Sequence, residues 1–263
     1  MSSIQGDLSG KVAIVTGGTS GIGEAIARLA AAWGAAGIVI NGRNQQRGDA
    51  VVAGLGVPGH FVQGDLDDET IPPRLVAEAV QKFGRVDCLV NAAALTDRGG
   101  LLDMPADLAF FDKVFAVNVR AAFQLIQSVA MHLRDAGRPG SIVNILSVNA
   151  HCGAPELGVY SASKGAMLTL TRNAANALAK YRIRVNGIAL GWADTPNEHV
   201  VQEKVSPYGR DWLEHALKSV PLGELFKPDQ VANMACLLLS EQSGPMTGAV
   251  VDQCQWVLGG NKS

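Results

Sequence analysis

The sequence predicts a doubly wound α/β fold, a parallel sheet of about seven strands with helices on both faces. Three observations carry that expectation. Short β-branched apolar runs alternate with helix-periodic segments along all 263 residues. The first strand-to-helix junction holds glycines at 17, 21 and 23. No repeat, low-complexity stretch or linker breaks the alternation, so 1–263 reads as one domain.

The elements follow in order. Residues 11–16 form the first buried strand, and 22–33 carry the first helix, whose apolar spacing stops at Gly34. Residues 37–41 and 60–63 read as strands two and three. Pro72-Pro73 is expected to delay the helix that carries Leu75 to Phe83. Strands four to seven fall at 86–90, 141–147, 184–189 and 249–252. Long helices are expected over 112–136 and 158–180, and 197–212 reads as a helical flap broken at Pro207 and Gly209.

Composition narrows the function. A formal net charge of −2 with scattered charges offers no basic face for nucleic acid. Apolar runs are interrupted by charge or glycine, so no membrane span is expected. The N-terminus is polar and lacks the apolar core of a secretory leader. Cys88, Cys152, Cys236 and Cys254 have neither CxxC nor metal-ligand spacing and read as reduced thiols. Together these imply a cytoplasmic protein without a metal.

The glycine turn implies a dinucleotide. Gly17, Thr19, Ser20, Gly21, Ile22 and Gly23 lie where strand becomes helix, so phosphate oxygens can approach helix N-terminal amides. About 20 residues on, such folds read the ribose, and an acidic side chain there favours NAD. Here Arg43 follows strand two, and a guanidinium suits a 2′-phosphate, which points to NADP, with NAD the alternative. Asp65 and Leu66, after strand three, stand where they could border the adenine. Asp65 could equally cap the following helix.

A second signal lies past the middle. Tyr160 and Lys164 are i and i+4 on a predicted helix, so phenol and ammonium face the same way. A free phenol, with a pKa of about 10, is a poor base at neutral pH. A neighbouring ammonium is expected to favour the phenolate. Such a pair can move a proton while hydride travels to or from a nicotinamide.

These motifs resemble the short-chain dehydrogenase/reductase family, in its compact branch. The likeness runs from Leu8 to Asp252. The TGxxxGxG turn stands at 16–23, Asn91-Ala92-Ala93-Ala94 replaces Asn-Ala-Ala-Gly, and YxxxK is Tyr160 and Lys164. The resemblance implies that Ser147 bonds the substrate oxygen, that Asn118 anchors a proton-conducting water, and that Lys164 reaches the ribose hydroxyls. It also implies that Asn91, Ala92, Ala93, Gly191 and Thr195 adjoin the cofactor. Ala94 must then sit at negative φ or the chain there must shift slightly. Leu190, in place of the usual proline, is expected to loosen the segment after strand six.

The substrate is a small alcohol or carbonyl compound on this reading. Thr96, Asp97, Arg98, Asn149, His151, Cys152 and Trp192 are candidate wall residues, with Ser147 at the reacting oxygen. That polar mixture suits a sugar or polyol better than a steroid or long acyl chain. The family also implies a homo-oligomer, dimer or tetramer. Val114, Phe115, Val117, Phe123, Leu125, Ile126 and Val129, and the tail Gln255-Trp256-Val257-Leu258, are candidate apolar surfaces for it. Two other classes stay open: a cofactor-binding sensor without catalysis, and a non-redox lyase. The intact tyrosine and lysine weigh against the first, and the glycine turn against the second. An enoyl reductase with a wider tyrosine-lysine spacing is disfavoured.

Overall fold

The computed structural model describes residues 6–98, 100–102 and 108–257. Seven strands pair in parallel in the order β3-β2-β1-β4-β5-β6-β7. They are β1 Val12–Val15, β2 Gly37–Gly42, β3 Gly59–Gln63, β4 Cys88–Asn91, β5 Gly140–Ile145, β6 Ile183–Leu190 and β7 Val250–Gln253. Strand order reverses between β1 and β4, and both pair at Val15 and Val90. A crevice therefore opens beyond their carboxyl ends.

The strands read as continuous apolar runs because both sheet faces are covered. Along β1, Ala13 and Val15 join one core while Ile14 joins the other. On the first face Ile26 and Ala30 of α1 (Gly21–Ala32) meet Val231 and Ala235 of α9 (Pro228–Leu239). On the second, Leu75 and Ala79 of α3 (Ile71–Phe83) meet Leu125, Val129 and Leu133 of α5 (Ala121–Asp135). Small alanines let these helices approach closely. Each fully buried leucine or isoleucine contributes about 1.5–3 kcal/mol.

Several expected boundaries shift for physical reasons. Pro72 and Pro73 do not delay α3, because they occupy its first turn, where no intrahelical N–H bond is needed. The helix expected over 112–136 begins earlier and is not uniform. It runs as α4 (Ala109–Phe115), a π-helical turn Ala116–Arg120, and α5. This run is long and apolar enough to pass for a membrane span. Its apolar side is instead spent on the sheet, with Val114, Leu125, Val129 and Leu133 fully buried.

The same packing revises the surface expected for assembly. Val114, Val117, Leu125, Ile126 and Val129 belong to this chain's own core. Phe123 stays 49% exposed, joined by Phe111 and Met131. Trp256 and Val257 are exposed, and Leu258 lies outside the described residues. After Leu190 the chain is not loose, since Gly191 N–H donates to Gln253 O at 2.9 Å. β6 accordingly extends to Leu190, which stands in register with Gln253 of β7. Ala94 is absent from the positive-φ residues, as its Cβ requires.

The long α6 (Gly158–Leu178) ends in a 3₁₀ turn, Ala179–Tyr181. The flap is α7 (Pro196–Val205), a 3₁₀ turn Gly209–Asp211, and α8 (Trp212–Ser219).

Candidate active site

A cleft of about 460 Å³ lies at the carboxyl ends of the strands. One end is the turn between β1 and α1. Gly17 sits at φ +64, which only glycine adopts without strain. A Cβ on Gly23 would lie 2.3 Å from Gly17 O, so this position has no room for a side chain. Thr16 Oγ1 accepts from Ala92 N–H at 3.1 Å and Ala93 N–H at 3.2 Å, tying this turn to the end of β4. Ser20 precedes α1 in extended geometry, yet its side chain caps no amide. The first-turn amides of α1 therefore face the cleft without a side-chain cap, as anion binding at a helix N-terminus requires. These features fit a dinucleotide pyrophosphate.

The structure brings most of the expected site residues into this one cleft. Gly17, Thr19, Ser20, Gly21, Ile22, Gly23, Arg43, Asp65, Leu66, Ala92, Ala93, Ser147, Tyr160, Lys164, Gly191 and Thr195 all line it. Asn91 and Asn118 do not. They line a small cavity of about 10 Å³ that shares Lys164, Ala93 and Ile145 with the cleft. Asn149, His151 and Trp192 line neither. His151 Nε2 instead lies 3.4 Å from Asp252 Oδ1. Trp192 Nε1 donates to Glu198 Oε1 at 2.8 Å, and its ring packs beside Trp212 in the flap.

Asp65 is no helix cap, because α3 starts at Ile71, after Thr70. Its carboxylate lies 3.7 Å from the Arg43 guanidinium, which is 68% exposed. Gln63 Nε2 donates to Arg43 O at 3.0 Å and steadies the loop. Asn41 and Gly42, which the sequence did not single out, also line this end, as does Gly64 beside Asp65. Asn41 was legible as a polar residue ending an apolar strand. Its Nδ2 ties Val62 O and Gly64 O, each at 3.1 Å.

At the other end stand the proton-moving groups. Ser147 lies just past β5 rather than in it, capping the 3₁₀ turn Val148–Ala150 by accepting from Asn149 N–H at 3.2 Å. Its hydroxyl also stands beside the Tyr160 phenol and favours the ionised form. Lys164 is 4% exposed, its Nζ 5.7 Å from the Tyr160 ring centroid and 2.7 Å from Ile145 O, to which it donates.

The expected drop in the phenol pKa is reversed. Burial pushes Tyr160 up to about 12, opposed by the Ser147 hydrogen bond and reinforced by the Glu198 carboxylate. Burial also lowers Lys164 to about 8. The hydration a phenolate would lose here outweighs what the Ser147 hydroxyl restores. At neutral pH both groups therefore keep their protons.

Asn118 sits in the π-helical turn. Its Nδ2 donates to Leu95 O at 3.1 Å and to Ser163 Oγ at 3.0 Å, while Oδ1 accepts from Leu95 N–H at 2.8 Å. Both amide hydrogens are used. A water cannot take a hydrogen from this side chain.

A glycine-cradled cleft with a tyrosine and a buried lysine paired at its far end defines a nicotinamide-dependent oxidoreductase. Residues 17–253 match the family model described as enoyl-(acyl carrier protein) reductase. A 3-oxoacyl-(acyl-carrier-protein) reductase of Thermotoga maritima is 36% identical, covering 93% of this chain and 96% of its own. A sorbitol dehydrogenase of Cereibacter sphaeroides is 31% identical, covering 97% and 98%. The crystal structure of levodione reductase superposes with a TM-score of 0.88 at 28% identity, covering 94% and 97%. The chain belongs to the short-chain dehydrogenase/reductase family.

Proposed function

We propose that this protein reduces a small carbonyl compound, and in reverse oxidises the matching secondary alcohol, with NADPH preferred over NADH. The observation that carries the proposal is the pairing of half-buried Tyr160 with buried Lys164, with Ser147 beside the phenol, in the same cleft as the glycine turn. A bound nicotinamide supplies or takes the hydride. Tyr160 donates its proton to the carbonyl oxygen, and Ser147 bonds that oxygen as negative charge gathers on it. Lys164 holds its ammonium near the phenol and stabilises the phenolate left behind. The turn formed by Gly17, Thr19, Ser20, Gly21, Ile22 and Gly23 holds the pyrophosphate, with Ala92, Ala93, Gly191 and Thr195 along the remaining wall.

A phenol protonated at rest is poised to give a proton, which carbonyl reduction needs. The pH dependence follows from the sign of each shift. Tyr160 stays protonated up to about 12, whereas Lys164 loses its charge as pH rises through about 8. Reduction at saturating substrate is expected to hold level near neutrality and decline above about pH 8. A rate that climbs through that range would contradict the assignment.

Arg43 supports NADPH. A 2′-phosphate would compete with Asp65 for the guanidinium, and bidentate arginine suits phosphate. Arg43→Ala is expected to weaken NADPH by about tenfold or more, the loss of roughly 1.4 kcal/mol, and to leave NADH nearly unchanged. Equal losses measured by titration would remove the 2′-phosphate role.

Polar groups at the substrate end support a polyhydroxy compound. Thr96, Asp97 and Asn197 line the cleft, whereas Asn149, His151 and Trp192 stand back from it. The sorbitol dehydrogenase relative supports the same class. The test is a screen of ketoses, polyols and small ketones for NADPH oxidation or NADP reduction. Turnover of ketoses or polyols supports it, and turnover only of long acyl substrates overturns it. Exposed Phe111, Phe123 and Met131 on α4 and α5 support a homo-oligomer, which sedimentation would test.

A further inference from the structure

We propose that Asn91 is a positioning residue for Lys164, holding one water between its Oδ1 and the ammonium, and that Asn144 and Thr171 fix which amide atom it presents. The inference rests on the catalytic reading of Lys164 given above. A buried hydrogen-bond chain behind Asn91 runs in one direction only. Thr171 Oγ1 donates to Met167 O at 2.7 Å, one turn back on α6. That uses its single hydrogen, so it can only accept from Asn144 Nδ2, 2.9 Å away. Asn144 must then turn Oδ1 towards Asn91, whose Nδ2 donates to it at 2.8 Å.

The polarity of the chain is thus set at the helix and transmitted across β5 to β4. Asn91 is left with Oδ1 pointing away from the ladder, buried and without a protein partner. The ladder is sealed, with Asn91 6%, Asn144 0% and Thr171 0% exposed. The direction of both amides is set by Thr171, whose hydroxyl can only accept from Asn144.

The cavity of about 10 Å³ is lined by Asn91, Lys164, Thr16 and Asn118, with apolar neighbours. That is about the least space that holds a water. Lys164 has given one of its three hydrogens to Ile145 O. Asn118 has no amide hydrogen to offer. A water that accepts from Lys164 and donates to Asn91 Oδ1 satisfies both buried groups. It also favours the ammonium, because an acceptor stands behind the water.

The titratable group facing Lys164 is Tyr160, and burial alone accounts for the lowered lysine pKa. The cavity walls contributed by α5 and α6 are Ala122, Leu125 and Met167, which carry no charge.

The test follows Lys164 by NMR of ¹³C-labelled lysine in the cofactor-free protein, with the resonance assigned by substitution. Thr171→Val removes the group that sets the direction, so Asn144 and Asn91 can turn over and present an N–H to the cavity. Asn91→Leu removes the acceptor. Both are expected to lower the Lys164 midpoint by about one pH unit, the effect of losing one hydrogen bond to a charged group. Thr171→Ser keeps the hydroxyl and is expected to titrate like the unsubstituted protein. Equal midpoints in the unsubstituted protein and Thr171→Val, or a Thr171→Ser protein that follows Thr171→Val, would overturn the proposal. Should Asn91→Leu fail to fold, the Thr171 pair decides. No turnover is needed, so this outcome is separate from that of Tyr160→Phe, which tests the catalytic reading itself.

Discussion

Tyr160→Phe is expected to lower carbonyl reduction about 10²- to 10⁴-fold, the range that a positioned general acid contributes. The substitution removes one oxygen and keeps the ring that packs near Lys164. Cofactor affinity should change little, because the turn that holds the pyrophosphate is formed by other residues. The loss should therefore fall on kcat, with nicotinamide binding retained. The phenol matters because it is a donor whose proton is secure at neutral pH, burial holding its pKa at about 12. A variant retaining more than about a tenth of the original rate would contradict the acid assignment.

Gly23→Ala should be as damaging, and it acts at the other end of the cleft. The added Cβ would stand 2.3 Å from Gly17 O and 2.7 Å from Gly17 C. Both are backbone atoms, so no side chain can swing aside. Overpacking of this kind costs about 1–3 kcal/mol. Relief requires the turn to move from the α1 N-terminus, taking its amides off the pyrophosphate position. Binding of reduced nicotinamide dinucleotide should weaken at least about tenfold, with a lower Tm. Unchanged affinity, measured by titration, would show that the turn does not carry the phosphate.

Much of the fold and the cleft was legible in the sequence because local chemistry and tertiary role coincide. The β-branched run of β1, the glycines after it and the apolar spacing of α1 each require the next. The i, i+4 spacing of Tyr160 and Lys164 fixes a shared helix face from the residue numbers alone. Other features depend on distant partners and leave no local mark. The π-helical turn at Asn118 adds no breaker or change of composition to an apolar helix. The Asn91–Asn144–Thr171 ladder joins residues 53 and 27 positions apart. Each asparagine alone reads as a polar residue near a strand end. The same holds for Arg43 and Asp65, which pair across two loops.

The phenol shows how the physics can reverse a sound local inference. A nearby ammonium does favour a phenolate, and the spacing does bring the two together. What the sequence could not show was how much water each group would lose in the fold, and desolvation then decides the sign. The flap is similar. Its helices were legible, but Trp192 turning to Glu198 and Trp212 depends on three-dimensional packing. Trp192 therefore stands in the flap's own cluster instead of the cleft wall.

An NADPH site serving the Tyr160–Lys164 pair must bind the reduced cofactor whether or not the substrate is known. The decisive measurement is a titration of the protein with NADPH and with NADH, following the fluorescence of the reduced nicotinamide. Saturable binding of NADPH, at least about tenfold tighter than that of NADH, is the expected result. Tighter binding of NADH would overturn the role of Arg43, and binding of neither would contradict the assignment of the cleft.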